Sequence, residues 1–301
     1  MTSITYMTSR FNPGRRWQTT GLLLVWILAA AARAGQEEKK LPATDPALLV
    51  QRAAENEVAA LKDPVECEFQ ERLEWTWGTE TRAVIETLEG RADRIVAFDD
   101  EPLAPDQVAK QDHRLTKLLK DRNARKRELE EQKAEMRRRV RMMEAFPQAL
   151  LFEAAGEGPS GTLRFSFRPN PAFSPRDRET QVYRGMQGTV WVDAQQERIV
   201  RIEGVLTRDV SFGWGILGKL HKGGRYEVAQ EQVSAGVWRI IRLDLDLKGR
   251  VFLGGFRLLR KEHNAQFERT PGEMTYREAV EVLIHFPAGP VKARNPDRPG
   301  L

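Results

Sequence analysis

The chain has 301 residues, 41% of them hydrophobic and 30% charged, with 48 Lys+Arg against 43 Asp+Glu and a single cysteine. That composition supplies enough apolar side chain for a substantial core and excludes a wholly disordered chain. The lone Cys67 excludes an internal disulfide and a cysteine-rich structural zinc site.

Arg10, Arg15 and Arg16 precede the apolar run GLLLVWILAAAA (21–32), which ends in Ala32-Arg33-Ala34. A basic start, a short apolar segment and an A-x-A site predict an export signal over 1–34, cleaved after Ala34, and with it a periplasmic location. The apolar run is about a dozen residues, short of the roughly 20 that span a bilayer. Removing 1–34 takes away four of the 48 basic residues and none of the 43 acidic ones, so the expected mature chain is nearly neutral.

Residues 35–45 read as a polar leader. Asp45-Pro46 then starts a helix, because aspartate caps free amides and proline needs no amide acceptor at the first helical position. Leu49, Val50, Ala53, Val58 and Leu61 recur at helical spacing, and Asp63-Pro64 ends the run. From Val65 the period changes to two. Val65, Cys67, Phe69, Leu73, Trp75 and Trp77 share one side of an extended strand, with Glu66, Glu68, Gln70, Arg72 and Glu74 on the other. Turn residues at Gly78 and Glu89-Gly90 separate it from strands expected near 81–88 and 94–98, an antiparallel meander.

Residues 105–145 interrupt this pattern with thirteen Lys+Arg against eight acids and a narrow apolar stripe broken near 122–126, which predicts one long surface helix or two shorter ones. After Phe146-Pro147, strands are expected at 149–154 and 162–168 and, past a proline-rich loop, at 188–193, 198–206, 224–232, 237–247 and 250–263. Alternation is strict where Leu243, Leu245 and Leu247 interleave with Asp244 and Asp246. The tail is double in character: Thr270-Pro271-Gly272-Glu273 resembles a capping box, while Val280, Val282, Ile284 and Phe286 alternate, and the alternation predicts a final strand. Residues 287–301 read as a flexible tail.

Chemical motifs are sparse. Gly213-Trp214-Gly215-Ile216-Leu217-Gly218 is a literal G-x-G-x-x-G, but it lacks a βαβ context and reads as a glycine-permitted bend. His113, His221, His263 and His285 have no metal-ligand spacing, Ser160 lacks a nucleophile elbow, and Cys67 reads as a buried inert thiol, so neither an enzyme nor a metal or other cofactor is expected. Arg137, Arg138 and Arg139 are candidates for contact with an anionic envelope surface, against the plainer reading of a solvated helix face; export argues against nucleic acid. If the sheet curls, Phe69, Trp75, Trp77, Trp191, Phe212 and Trp214 are candidates to line a surface that takes an acyl chain; otherwise they fill the core beneath the helices.

Four segments carry a resemblance: GTVWVD (188–193), RIVRIE (198–203), DVSFG (209–213) and LHKGG (220–224). With them the chain resembles a group of exported bacterial proteins that in turn resemble the periplasmic outer-membrane lipoprotein-sorting carriers (LolA-like proteins), over about 65–270. The resemblance implies an α+β fold: a strongly curved antiparallel sheet forming a half-open barrel, closed by helices, whose apolar inside holds lipid. It gives one LolA-like domain over 46–286, with the charged helical segment as an insertion foreign to the ordinary carriers. The expected function is that of a monomeric, non-enzymatic carrier of a lipid or of lipoprotein acyl chains. The alternative is an envelope interaction protein with a filled core that docks through its basic helix.

Overall fold

The computed structural model of the chain describes residues 45–212, 218–251, 254–270, 272–287 and 289. The export signal expected at 1–34, the leader up to residue 44, Trp214 and the tail beyond 289 lie outside them.

Helix α1 (Pro46–Lys62) begins as expected, with the Asp45 carboxylate accepting from the Ala47 amide at 2.9 Å. Strands β1 (Cys67–Trp75), β2 (Gly78–Glu86), β3 (Arg91–Phe98) and the short β4 (Glu101–Pro102) follow as a meander. The charged segment is two helices, α2 (Pro105–Lys120) and α3 (Arg122–Ala149). Asp121 makes the break: it ends α2, and its carboxylate accepts from the amides of Asn123 and Ala124 at 2.9 and 3.0 Å to start α3. Helix α3 outruns its expected end at 145. Pro147 falls in the last turn, where few hydrogen bonds remain for it to break, and Met142, Met143, Phe146 and Ala149 enter the core.

The chain continues through β5 (Leu150–Glu157), β6 (Leu163–Pro169), a 3-10 turn (Thr180–Gly185), β7 (Met186–Asp193), β8 (Arg198–Leu206), β9 (Val210–Phe212), β10 (Gly218–Leu220), β11 (Arg225–Ser234), β12 (Val237–Val251), β13 (Gly254–Arg269) and α4 (Tyr276–Ile284). Two expectations are corrected here. The final strand is α4, because Tyr276, Ala279, Val280 and Leu283 bury at helical spacing while Val282 is 43% exposed; its capping box is Thr275 with Glu278. Trp77 lies in the turn after β1 rather than on the strand, and is 63% exposed.

All thirteen strands belong to one antiparallel sheet ordered β4-β3-β2-β1-β13-β12-β11-β8-β7-β6-β5, with β9 and β10 attached beside β12. The sheet is not closed into a barrel. The long β12–β13 hairpin joins the N-terminal meander to the later strands, so residues about 200 positions apart pair, as Cys67 does with Arg269.

The register fixes two faces. On the first, Val190, Ile202, Val228 and Leu243 stand side by side across β7, β8, β11 and β12. Helix α1 and the C-terminal part of α3 cover that face and bury Leu49, Val50, Ala53, Met142, Met143 and Phe146 to 2% exposure or less. On the second, Ala83, Ile85, Ala92 and Val96 of β2 and β3 pack under α2 and α4. Helix α3 therefore serves both cores, with Leu129 against the second and Phe146 in the first. Between them it passes the β2–β3 turn, where the Gln132 side chain accepts from the Arg91 amide and donates to the Arg91 carbonyl, each at 2.7 Å.

Candidate functional site

The covered first face is the natural place to look for a binding function. Its apolar part runs from β5 through β12 onto the start of β13, where Phe256 and Leu258 still pack against the core. Tyr183, Tyr226, Phe146, Phe165 and Phe167 are its largest wholly buried side chains, and the Tyr183 hydroxyl donates to the Met142 carbonyl of α3 at 2.6 Å.

Polar ties hold α1 on this face. Glu57, 2% exposed, accepts from Arg198 Nε and Nη2 at 2.8 Å each, from Gln230 Nε2 at 2.7 Å and from the Ile199 amide at 3.1 Å. Arg52 reaches Glu197 at 2.6 Å, Asn56 donates to the Glu197 carbonyl at 3.0 Å, and Lys62 reaches Glu144 of α3 at 3.1 Å. Helix α1 is thus held by these polar ties together with the burial of Leu49, Val50, Ala53 and Ala54, and by no strand ladder.

Beyond Leu258 the same face becomes polar. Arg260, Glu262 and Asn264 of β13 stand opposite Trp75, Leu73 and Glu71 of β1, and Arg260, Glu262, Asn264 and Glu71 are all at most 9% exposed. Glu71 pairs with Arg91 at 2.6 Å, and Arg260 with Glu262 at 2.5 Å. Burial alone would lower the Arg91 pKa, but the Glu71 carboxylate, with Asp93 and Glu262 behind it, more than offsets that and leaves it raised. Burial likewise pushes Glu262 up, yet Arg260, Asn264 and Arg91 hold its carboxyl below the usual range. Among the described residues, Glu71 Oε1 and Asn264 Oδ1 have no donor.

The aromatic candidates do not form one surface. Phe69 stacks on Phe267 at 5.1 Å beside Cys67 and Val84 on the first face, with the Arg91 guanidinium over its ring. Trp75 stands on that face too, between Arg260 at 5.2 Å and the exposed Trp77 at 5.2 Å. Trp191 sits between Val190 and Val192, which point into the core, so its ring is on the opposite face, under the Arg201 guanidinium at 5.1 Å. The side chain of Phe212 and the whole of Trp214 lie outside the described residues. The glycine-rich segment joins β9 to the antiparallel β10, not a strand to a helix.

Of the three arginine candidates, Arg137 is exposed. Arg138 reaches Glu135 at 3.3 Å and Glu179 at 3.9 Å, and Arg139 reaches Glu135 at 3.6 Å. Cys67 is buried; burial first, and Glu86 second, push its thiol up to about 12 although Arg239 pulls the other way. Among the described residues no group of three or more His, Cys, Asp or Glu could hold a metal ion, and no helix is long and apolar enough to cross a membrane.

Sequence reading passed over Glu71 although its signal was present, since the alternation that buries Phe69 and Leu73 places Glu71 between them. Arg184 and Arg208, which line a cleft of about 250 Å³ with Gln181, Asp209, Val210 and Ser211, carried no such signal. Fold and site define an α+β protein built on an open antiparallel sheet, one face of which is apolar under two helices and polar beyond them. No protein-family model matches the chain, and no curated protein matches it.

Proposed function

We propose that this chain is an exported, non-enzymatic binding protein that takes the apolar part of a lipid, or the acyl chains of a lipoprotein, between the β5–β12 face and helices α1 and α3, in the manner of the LolA-like carriers. One observation carries the reading. A broad apolar face of a single sheet is covered not by a second sheet but by two helices from distant parts of the chain, one of them tied to β8 and β11 by Glu57. Lifting α1 exposes that face. Each methylene then moved from water onto it contributes about 0.8 kcal/mol, enough to hold an acyl chain without covalent chemistry. The test is native mass spectrometry of protein purified from its own envelope, with titration of a fluorescent fatty acid. Bound lipid and saturable binding support the reading; a lipid-free protein that binds no fatty acid overturns it.

A second reading has its own observation. The side chains under α1 and α3 already pack to near-complete burial, as in an interaction protein with a filled core that docks by its basic helix. It requires capture of an envelope component that weakens with salt and is lost when Arg137, Arg138 and Arg139 are neutralised.

A further inference from the structure

The cleft of about 250 Å³ beside the 3-10 turn adjoins the covered core, to which its Val210 belongs, but differs from it in chemistry. The chain brings Arg184, at the end of that turn, against Arg208, in the segment between β8 and β9. The Arg208 Nε donates to the Arg184 carbonyl oxygen, and the Thr207 amide donates to the Gly185 carbonyl at 2.8 Å. This pins Arg208 by one nitrogen; among the described residues its two terminal nitrogens have no acceptor and the Arg184 side chain has no partner.

The acid in the cleft does not compensate these charges. Asp209 Oδ2 lies 2.7 Å from Lys219 Nζ, and Oδ1 accepts from the Lys222 amide at 2.8 Å, so the carboxylate is consumed by the β10 side. Those bonds, the Lys219 contact foremost, hold its carboxyl down at about 2. Arg184 and Arg208, both exposed, thus line one small cavity with no acid among the described residues to pair them. The volume lies below the roughly 300–1,000 Å³ of a drug-sized ligand site and suits a single charged group with its water.

We propose that Arg184 and Arg208 form a binding site for one phosphate-bearing group, because a guanidinium presents a planar fork that matches two phosphate oxygens at once. The phosphate could belong to a free anion or to a phospholipid headgroup, and the experiment separates the two. Binding of inorganic phosphate by the intact protein is measured by isothermal calorimetry, and binding to vesicles of phosphatidylglycerol and of phosphatidylcholine by sedimentation. The variants are Arg184→Gln/Arg208→Gln and a charge-matched control, Arg176→Gln/Arg178→Gln, on exposed residues outside the cleft.

The expected result is a saturable phosphate isotherm that weakens at least tenfold in the cleft variant and less than twofold in the control. If phosphate binds but phosphatidylglycerol vesicles do not, a free anion is the ligand; if both bind and both are lost in the cleft variant, the site takes a headgroup. Absence of millimolar phosphate binding overturns the proposal, as does equal weakening in both variants, which reports diffuse surface charge. Thermal melting of both variants keeps a folding defect distinguishable from a lost site. A failure here leaves the acyl-binding reading standing, since that reading rests on the apolar side chains under α1 and α3 and not on Arg184 or Arg208.

Discussion

Replacing Glu57 by alanine is expected to cost about 4 kcal/mol of folding stability, a figure that follows from the bonds the carboxylate makes. With Glu57 gone, the Arg198 guanidinium, whose side chain is 12% exposed, loses both of its 2.8 Å contacts and remains a buried charge without a counterion. Breaking a buried pair from one side costs roughly 3–5 kcal/mol. The Ile199 amide and one donor of Gln230 lose an acceptor as well, each worth about 1 kcal/mol or more if water does not replace it. Against this, Arg198 keeps its place over the Trp238 ring at 5.6 Å, which returns part of the loss. Urea unfolding of Glu57→Ala, Arg198→Met and the double variant measures the pair directly: removing both charges should cost about 2–3 kcal/mol less than the sum of the single changes. Amide exchange across α1 should rise in the single variants before the rest of the sheet opens. A loss below about 1 kcal/mol for Glu57→Ala, or additive single effects, would show that α1 is held by its apolar side alone and would refute the reasoning.

Three further outcomes follow from single sites. Asp93, about a fifth exposed, is held at about 2: burial alone would raise it, and Arg114, Arg82 and Arg91 more than reverse that. Because the folded value is depressed from 3.8, its stabilisation of about 2 kcal/mol is present above the unfolded value and disappears as pH falls from about 4 to 2. In acid titrations of stability, Asp93→Asn should therefore differ from the parent at neutral pH and converge with it near pH 2; an unchanged gap between the two curves contradicts this assignment. Cys67 should resist maleimide at about pH 8 in the native protein and react at once in denaturing urea, because its raised pKa leaves almost no thiolate. Rapid native labelling would place the thiol at the surface. A methyl group added at Gly188 would sit 1.8 Å from the Glu203 carbonyl oxygen and 2.5 Å from the Gly204 Cα on the paired strand, a backbone clash that no side-chain movement relieves. Gly188→Ala is expected to cost about 3 kcal/mol or more. A melting temperature near the parent's would mean that β7 and β8 can separate at low cost.

Much of the architecture was legible because the chain alternates cleanly where one face is dry. The strands 198–206 and 237–247, the helix after Asp45-Pro46 and the buried Cys67 all follow from local period and capping. The misjudged parts have a common physical origin. Residues 276–286 satisfy both a two-residue and a 3.6-residue period, and packing of Tyr276, Ala279, Val280 and Leu283 against β2, β3 and α2 selects the helix. Helix α3 continues through Pro147 because burial of Phe146 outweighs a bond lost in its last turn.

The sequence by itself determined the strand alternation, the charged helical segment and the burial of the lone thiol, since these depend on residues a few positions apart. Tertiary structure decided which alternating faces meet. Glu57 finds Arg198 and Gln230 across 141 and 173 positions, Arg184 meets the segment of Arg208 across 24, and Trp191 is turned to the side opposite Phe69 and Trp75. Those outcomes depend on strand order in a sheet where β13 returns to pair with β1, and period two specifies a strand's faces but not its neighbours.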